Sequence, residues 1–414
     1  MLVTLLLILF ALLGAPLFAV IAAGALWGFY SADIDLSAVL IEFYRIAEMP
    51  ILIAIPLFTF AGYLLSESRA PHRLVEITRA LLGWMPGGLA LVSLVACAMF
   101  TAFTGASGVT IVALGALLYP ALKASGYSDN FSLGLVTTSG SLGLLFAPAL
   151  PLILYAVVAQ QLGIADNITI DNMFLAGILP GLLMLTLLVA MSLWSVRSNQ
   201  LTPFSSQKAL QAIREAIWEI PLPFIVLGGI YGGFLAISEA AAITALYILV
   251  VEVFIHREIP LKKLPDVMRD SMLMVGGILI ILGLSLASTN YLIDAEIPTQ
   301  LFDIVREHVS DKLTFLLLLN LFLLVLGTML DIFSALVLIV PLLVLMFASD
   351  FLSQSLWLYA LPVFNVYLAI DQIIKAQITP LALAVTWLSS LLFITLATYW
   401  ASRNFSDEGV LFRN

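Results

Sequence analysis

The sequence predicts an all-α integral membrane protein, built as a multi-span helical bundle. Its 414 residues are 62% hydrophobic and only 10% charged, with a mean hydropathy of +1.12, whereas soluble chains carry about 25% charged residues. The apolar runs are long and continuous, while a membrane β-barrel alternates apolar and polar residues. Because lipid cannot pair with free backbone groups, each of these runs must cross the bilayer as a helix.

The basic residues indicate how the chain is oriented. Ten of its 17 Lys and Arg residues lie in three loops, which the positive-inside rule places in the cytoplasm. The acidic segments between them then face the periplasm, which predicts a multi-pass protein of a bacterial inner membrane. The net charge of −9 argues against a nucleic-acid partner, since phosphate binding needs a basic surface. The loops contain Arg69, Arg73 and Arg79; Arg197, Lys208 and Arg214; and Arg257, Lys262, Lys263 and Arg269.

The hydrophobic runs predict the helices in chain order. The first run, Leu2–Tyr30, lacks a basic start and exceeds the roughly 7–15 residues of a signal-peptide core, so it is interpreted as the first span. Segments Ser31–Met49 and Pro298–Val309 are either interfacial helices or amphipathic helices packed on the protein. The other predicted spans are Pro50–Ser66, Gly87–Phe103, Phe174–Val196, Pro221–Ile237, Ala240–Ile255, Ser271–Ala287 and Leu381–Trp400.

Two polar, glycine-rich interruptions fall at membrane depth, at Thr104–Thr110 and Ser139–Pro151. Non-helical backbone at this depth must line a cavity or be buried in protein, and its free carbonyls and hydroxyls are suited to bind Na⁺. The glycines alone would equally allow close helix packing, but the hydroxyls favour a functional site. The glycines are Gly105, Gly108, Gly140 and Gly143, and the hydroxyls belong to Thr104, Ser107, Thr110, Thr137, Thr138, Ser139 and Ser141.

A third interruption, Gly327–Ser334, matches the first in its spacing. Asp331 lies ten positions before Pro341, and Thr110 lies ten before Pro120. Paired breaks of this kind indicate an inverted repeat with a substrate site near the midplane. Asp331 is an ionisable residue between apolar runs, so it is either functional or a helix cap.

Three further residues have structural interpretations. Ser238 as an N-cap, with Glu239 in the first turn, explains this pair at the start of an apolar helix. Cys97 is the only cysteine and lies in an apolar run, so we expect a small core side chain and no thiol metal cluster.

Several segments together resemble the DctM-like large membrane subunit of tripartite ATP-independent periplasmic (TRAP) transporters, over about residues 1–345. Residues 346–414 are a separate tail, so the predicted domains are 1–345 and 346–414. The segments that carry the resemblance are IPLFTFAGYLLS (55–66), GLALVSLVACAMFTAFTGASG (88–108), LYPALKASGYS (118–128), SGSLGLLFAPALPLILYAV (139–157), FLAGILPGLL (174–183), LGGIYGGFLAISEAAAITALY (227–247) and LGTMLDIFSALVLIVPLL (326–343).

The resemblance implies a Na⁺-coupled, elevator-type transporter that imports an organic acid, such as a C4-dicarboxylate or sialic acid. It implies a small four-helix membrane subunit and a periplasmic solute-binding protein as partners, and no cofactor beyond the coupling ion. Of the matching positions, Thr104, Ser107 and Gly140 would bind Na⁺. The full set of implied ion- and substrate-binding residues is Thr104, Gly105, Ser107, Gly108, Gly140 and Pro148, to which the third interruption adds Asp331.

The tail after about Phe351 lacks the second re-entrant hairpin that this family carries. It is instead similar to the C-terminal end of ABC-2-type permease subunits, including the closing DEGVLFR. This leaves open a non-transporting fused or truncated membrane protein, or a permease subunit of an ABC transporter. An enzyme is not expected, because His72, His256 and His308 fall in loops or interfacial segments and neither HExxH nor GxSxG occurs.

Overall fold

The computed structural model describes residues 2–295 except 46–47, 86, 162–168 and 196–204, with short helical pieces at 318, 321–322, 332–333, 335–336, 381, 384–385 and 388–389. All regular structure in these residues is helical, which confirms the all-α prediction. A 3₁₀ turn covers Pro50–Ile53, and a π-helical turn covers Val250–Ile255. The α-helices are α1 (Leu2–Leu12), α2 (Leu17–Ser31), α3 (Ser37–Arg45), α4 (Ala54–Glu67), α5 (Ala70–Leu82), α6 (Gly88–Thr104), α7 (Ser107–Ala124), α8 (Asp129–Leu142), α9 (Leu150–Gln161), α10 (Ile170–Ser195), α11 (Ser206–Glu215), α12 (Pro221–Tyr231), α13 (Ile237–Leu249) and α14 (Leu264–Asp294).

Four described helices are long and apolar enough to cross a bilayer: Ser107–Ala124, Ile170–Trp194, Ile237–Ile255 and Leu264–Leu292. Helices α8 and α9, bent by 45° at the break between them, make a fifth span if the pair is counted as one. The last three of the four coincide with predicted spans. Helices α4, α6 and α12 also occur where helices are predicted, but they have only 14, 17 and 11 residues.

The predicted first span is two helices. Between α1 and α2, Gly14 has a φ of +87° and Pro16 is extended, with φ −56° and ψ 131°. Glycine adopts a positive φ without a steric penalty, and proline has no N–H with which to continue a helix. The helix expected for the first span, Leu2–Tyr30, is therefore interrupted at residues 13–16.

The amphipathic segment Ser31–Met49 contains the short helix α3. Its Val39 is buried in a cluster with Ala25, Phe29 and Ala287, whereas the large apolar side chains on its other face are exposed. The helix therefore packs on the protein through one face and leaves an apolar face that the described residues do not cover. This supports the interpretation of a packed amphipathic helix, and an interfacial position stays a prediction. The exposed side chains are Leu40, Ile41 and Tyr44. The other amphipathic segment, Pro298–Val309, lies outside the described residues.

The chain divides into two compact units, of which only the residues defined above are described. One unit comprises Met1–Pro56, Leu154–Thr169 and Asp270–Ser355, and the other comprises Leu57–Ile153, Ile170–Arg269 and Leu356–Asn414. In the second unit α6 packs against α5, α7, α8 and α10. Cys97 lies on α6 as a free, fully buried thiol, which agrees with its predicted core position.

The start of α13 confirms the structural interpretation of Glu239. Its carboxylate Oε2 accepts the backbone N–H of Ala236 at 2.9 Å. The N-cap is the extended residue Ala236, and Ser238 lies inside the first turn, so the prediction that Ser238 is the cap is wrong.

Candidate functional site

The first predicted break separates α6 from α7 and is only two residues long. Gly105 ends α6 with a φ of +64°, and its N–H donates to the Thr101 carbonyl at 2.8 Å. Ala106 is extended, and α7 begins at Ser107. Only glycine fits position 105, because its φ is positive and an added Cβ would lie 2.6 Å from Cγ of Leu150. The interruption predicted over Thr104–Thr110 is thus present but narrower.

The second break separates α8 from α9. After Leu142, residues Gly143–Leu145 form one 3₁₀ turn, Phe146 is extended, and the Ala147–Pro148 peptide bond is cis. The interruption predicted over Ser139–Pro151 therefore begins later, because residues 139–142 remain in α8. Pro148 is buried within this break.

Glycines bring α8 into close contact with the first break. A Cβ on Gly140 would lie 2.6 Å from Cγ1 of Ile111 and 3.3 Å from the Ser107 carbonyl oxygen. A Cβ on Gly143 would lie 2.5 Å from both the Ala102 nitrogen and Cβ of Thr101. Close packing is therefore a real role of these two glycines. It is not the role of Gly108, where an added Cβ would meet nothing within 4 Å.

Three buried threonines surround the first break, and we call them the threonine cluster. Thr101 and Thr104 lie in the last turn of α6, Thr110 lies in the first turn of α7, and all three are fully buried. The Thr101 hydroxyl lies 2.8 Å from Oγ1 of Thr110 and 3.0 Å from the carbonyl oxygen of Gly140. Oγ1 of Thr104 lies 3.3 Å from Oγ1 of Thr110, which in turn lies 3.3 Å from the Ala106 carbonyl oxygen.

The cluster therefore gathers five uncharged oxygen atoms from α6, α7 and α8, three hydroxyls and two carbonyls. Each hydroxyl has one hydrogen to donate and lone pairs to accept, so the set can satisfy itself by internal hydrogen bonds. The same oxygens, with their hydrogens turned outward, can face a cation. Hydroxyls and unwound carbonyls of broken helices are the ligands that membrane transporters use for Na⁺.

The structure brings only some of the predicted site residues together. Thr104 and the Gly140 carbonyl belong to the threonine cluster, and Gly105 forms the turn beside it. Ser107 begins α7 and is partly buried, and the hydrogen bonds described for the cluster include neither Ser107 nor Pro148. Gly108 is exposed on the first turn of α7, and Asp331 lies outside the described residues.

Sequence reasoning missed Thr101, which is the central residue of the cluster. Its partner Gly140 is 39 residues later in the chain, so no local sequence pattern predicts the contact between them. The one available signal is the T-x-x-T spacing of Thr101 and Thr104, which places both hydroxyls on the same face of α6.

A second polar cluster, the Arg73 cluster, lies in the same unit and consists of Arg73, Glu219, Glu252 and Glu258. Arg73 Nε donates to Oε1 of Glu219 at 2.5 Å, and Nη1 donates to Oε1 of Glu258 at 2.6 Å. Nη2 donates to both oxygens of Glu252, at 3.1 and 3.2 Å. From the sequence, Arg73 indicates only which loops face the cytoplasm. Its ion pairs could not be predicted, since its three partners lie 146 to 185 residues away.

Two members of this cluster lie outside the spans and have shifted pKa values. Burial lowers the pKa of Arg73, but its hydrogen bond to Glu258 and the attraction of the three carboxylates outweigh burial and raise the pKa. Burial raises the pKa of Glu258, but the Arg69 backbone N–H, at 2.7 Å, and the Arg73 guanidinium both donate to this carboxylate and lower its pKa overall. Both groups are therefore charged at neutral pH.

The chain is similar to known transport proteins. Residues 2–350 match the family described as the tripartite ATP-independent periplasmic transporter, DctM component. The isethionate TRAP transporter permease protein of Oleidesulfovibrio alaskensis is 32% identical over 80% of this chain, which spans 50% of that longer protein. The ectoine/5-hydroxyectoine large permease protein of Ruegeria pomeroyi is 33% identical over 70% of this chain and 68% of its own length.

One relative matches beyond the family segment. The C4-dicarboxylate large permease protein of Rhodobacter capsulatus is 29% identical over 396 residues, which cover 90% of each chain. An alignment of that extent includes part of the segment after residue 345, where the resemblance is predicted to stop. The division into residues 1–345 and 346–414 stays a prediction.

Proposed function

This chain belongs to the family of the DctM component of TRAP transporters, and from that membership we propose that it imports an organic acid into the cytoplasm by Na⁺-coupled, elevator-type transport. As a TRAP large permease subunit it is an integral membrane transport protein and not an enzyme. The proposed partners are a small four-helix membrane subunit and a periplasmic solute-binding protein, in a bacterial inner membrane.

The observation that carries the proposal is the threonine cluster. Its five oxygens lie where two helices break against each other, they are buried, and none of the side chains that supply them is charged. A hard monovalent cation is suited to such a site, because neutral oxygens replace its hydration shell without holding it irreversibly. Thr104 and the Gly140 carbonyl are the proposed Na⁺ ligands that the sequence already predicts. We add Thr101 and Thr110 to them, and Ser107 stays a prediction.

The substrate proposal is less specific than the ion proposal. The relatives are named for isethionate, C4-dicarboxylates and ectoine, so the family alone does not select one of them. We propose an acid carrying a carboxylate, such as a C4-dicarboxylate or sialic acid. The exposed first turn of α7, with Gly108, is the proposed border of the substrate, since its free backbone N–H groups and helix dipole attract an anion.

The test is uptake into proteoliposomes that contain this chain, the small subunit and the binding protein. Labelled succinate, sialic acid, isethionate and ectoine are each supplied with an inward Na⁺ gradient or with K⁺ in its place. We expect accumulation of a carboxylate only with Na⁺. Equal accumulation with K⁺ in place of Na⁺ would contradict Na⁺ coupling. Accumulation of isethionate alone would contradict the proposal that the substrate carries a carboxylate.

A matched pair of variants tests the ion site itself. Thr101→Val keeps the shape of the side chain and removes one of the five oxygens. We expect the Na⁺ concentration for half-maximal uptake to rise at least about tenfold, equivalent to about 1.4 kcal/mol. The control is Thr137→Val, an exposed threonine of α8 whose hydroxyl donates only to carbonyls of its own helix. Equal Na⁺ dependence in both variants would refute the site.

A further inference from the structure

The Arg73 cluster holds more negative charge than its arginine balances. Three carboxylates surround one guanidinium, so the cluster has a net charge of −2 when all three carboxylates are ionised and His256 is neutral. Arg73, Glu219 and Glu252 are at most 9% exposed. Buried charge without a counter-charge is strongly unfavourable, so a group of this composition requires either bound protons or a further cation.

Glu219 points independently to a missing ligand. Its Oε1 accepts from Arg73, but its Oε2 is buried and has no hydrogen-bond partner among the described residues. The side chain is only 3% exposed. Buried polar atoms in native proteins are nearly always paired, so this carboxylate oxygen indicates a partner outside the described residues.

His256 brings a nitrogen ligand to the same place. Its Nδ1 lies 3.7 Å from Oε1 of Glu258, and the ligand atoms of Glu252, His256 and Glu258 all lie within 4.8 Å of one another. The chain doubles back here, because Arg257 has a φ of +56° and the Glu258 N–H donates to the Glu252 carbonyl at 2.9 Å. The three side chains are therefore held together by the backbone.

We propose that Glu252, His256 and Glu258 bind a divalent transition-metal cation such as Zn²⁺, with the carboxylate of Glu219 adding negative charge through the shared Arg73. A charge of +2 cancels the −2 of the cluster. Zn²⁺ takes one imidazole and several carboxylate oxygens at about 2.0–2.2 Å, which places tetrahedral ligand atoms about 3.3–3.6 Å apart. The His256–Glu258 separation is already close to that value.

The arginine and the cation can share the carboxylates. Each carboxylate oxygen has two lone pairs, so it can accept a hydrogen bond from Arg73 and still bind a metal. The bound cation would join the π-helical turn, through Glu252, to His256 and Glu258 just after it. The hydrogen bonds of Arg73 already link these carboxylates to α5 and to Glu219 before α12. The positive-inside rule places this site on the cytoplasmic side.

The proposal is tested by metal binding to the purified full-length chain, and it does not depend on the transport activity. After treatment with EDTA, the protein is titrated with Zn²⁺ by calorimetry and with Co²⁺ by absorption spectroscopy, at neutral pH. We expect one saturable site per chain, d–d absorption bands of a Co²⁺ ion with nitrogen and oxygen ligands, and a higher thermal unfolding midpoint with metal than without.

Three variants make the test specific. His256→Ala removes the nitrogen ligand and leaves the ion pairs of Arg73 in place, so we expect the metal-free protein to fold and the affinity to fall at least tenfold. His72→Ala is the matched control, because His72 adjoins Arg73 in sequence but is exposed and lines a separate cavity of about 430 Å³. Glu219→Gln removes one negative charge without changing size and is expected to weaken binding.

Two outcomes would overturn the proposal. One is the absence of saturable binding of either metal, which would mean that protons alone balance the cluster. The other is equal affinity in His256→Ala and the wild type, which would mean that the metal binds elsewhere. Unchanged affinity in Glu219→Gln would overturn the charge balance on which the proposal rests.

Discussion

The contact of α8 with α6 at Gly143 can be tested by a one-carbon change. In Gly143→Ala the new Cβ would lie 2.5 Å from the Ala102 nitrogen and from Cβ of Thr101, and closer still to the Ala98 carbonyl oxygen. Real Cβ contacts are essentially never shorter than 3.0 Å. Two of these atoms are helix backbone, so α6 and α8 must separate by at least about 0.5–1 Å. Overpacking of this kind costs about 1–3 kcal/mol.

The matched control lies nine residues earlier in the same helical segment. Gly134 is exposed, and an added Cβ there would meet nothing within 4 Å. Gly134→Ala therefore changes only helix propensity, which favours alanine by about 0.5–1 kcal/mol. Because Gly143 also has helical dihedral angles, the same propensity gain applies to both variants. The difference between them isolates the steric cost.

The assay is unfolding of the purified proteins in mixed micelles by increasing SDS, followed by circular dichroism. We expect Gly134→Ala to be as stable as the wild type or slightly more stable, and Gly143→Ala to be less stable than Gly134→Ala by about 1–3 kcal/mol. The same separation would pull Thr101 from the Gly140 carbonyl, so Na⁺-dependent uptake should fall as well. Equal stability of the two variants would refute the reasoning about this contact.

Three further perturbations follow from the described contacts. Gly105→Ala places a side chain at a φ of +64° against Leu150, and we expect it to cost at least about 1–2 kcal/mol in the same unfolding assay; a neutral effect would show that the turn relaxes freely. Arg73→Met leaves two buried carboxylates and the partly buried Glu258 without their arginine and should cost about 3–5 kcal/mol, whereas Arg79→Met, at an exposed ion pair, should change the free energy of unfolding by no more than about 1 kcal/mol; similar losses would contradict the burial argument. Since the folded-state pKa of Glu258 lies below its ordinary 4.5, its stabilisation is complete above that pH and is lost as the pH falls through the lower folded value; unfolding measured between about pH 5 and pH 3 should show this loss, and Glu258→Gln should remove it.

The sequence predicts the breaks because glycine, proline and hydroxyl residues cannot continue an apolar helix across lipid without another source of hydrogen bonds. It does not predict where each break begins. Ser139 stays in α8 because its hydroxyl donates to the Val136 carbonyl of the same helix at 3.1 Å, so a polar residue there disturbs nothing. The break at Gly14 was overlooked for the opposite reason, since only two residues carry it within a long apolar run.

For the candidate sites, even fewer of the residues can be predicted from the sequence. Thr104 and Gly140 are predictable because they lie in polar interruptions and resemble positions of a family. Thr101 and the partners of Arg73 are not, because their roles come from contacts across tens to hundreds of residues. A charged residue such as Glu252, at the end of an apolar run, gives no indication in the sequence of the arginine that pairs with it.

The π-helical turn at Val250–Ile255 also sets how chain length can vary in evolution. Such a turn holds one residue more than an α-helical turn, so the residues after it are shifted by one position relative to a continuous α-helix. Deleting one of its residues would restore the α-helical register and rotate everything that follows by about 100°. His256 and Glu258 would then leave the side of the helix on which Glu252 meets Arg73. Related chains that keep these side chains should therefore tolerate substitutions in this stretch more readily than a change in its length.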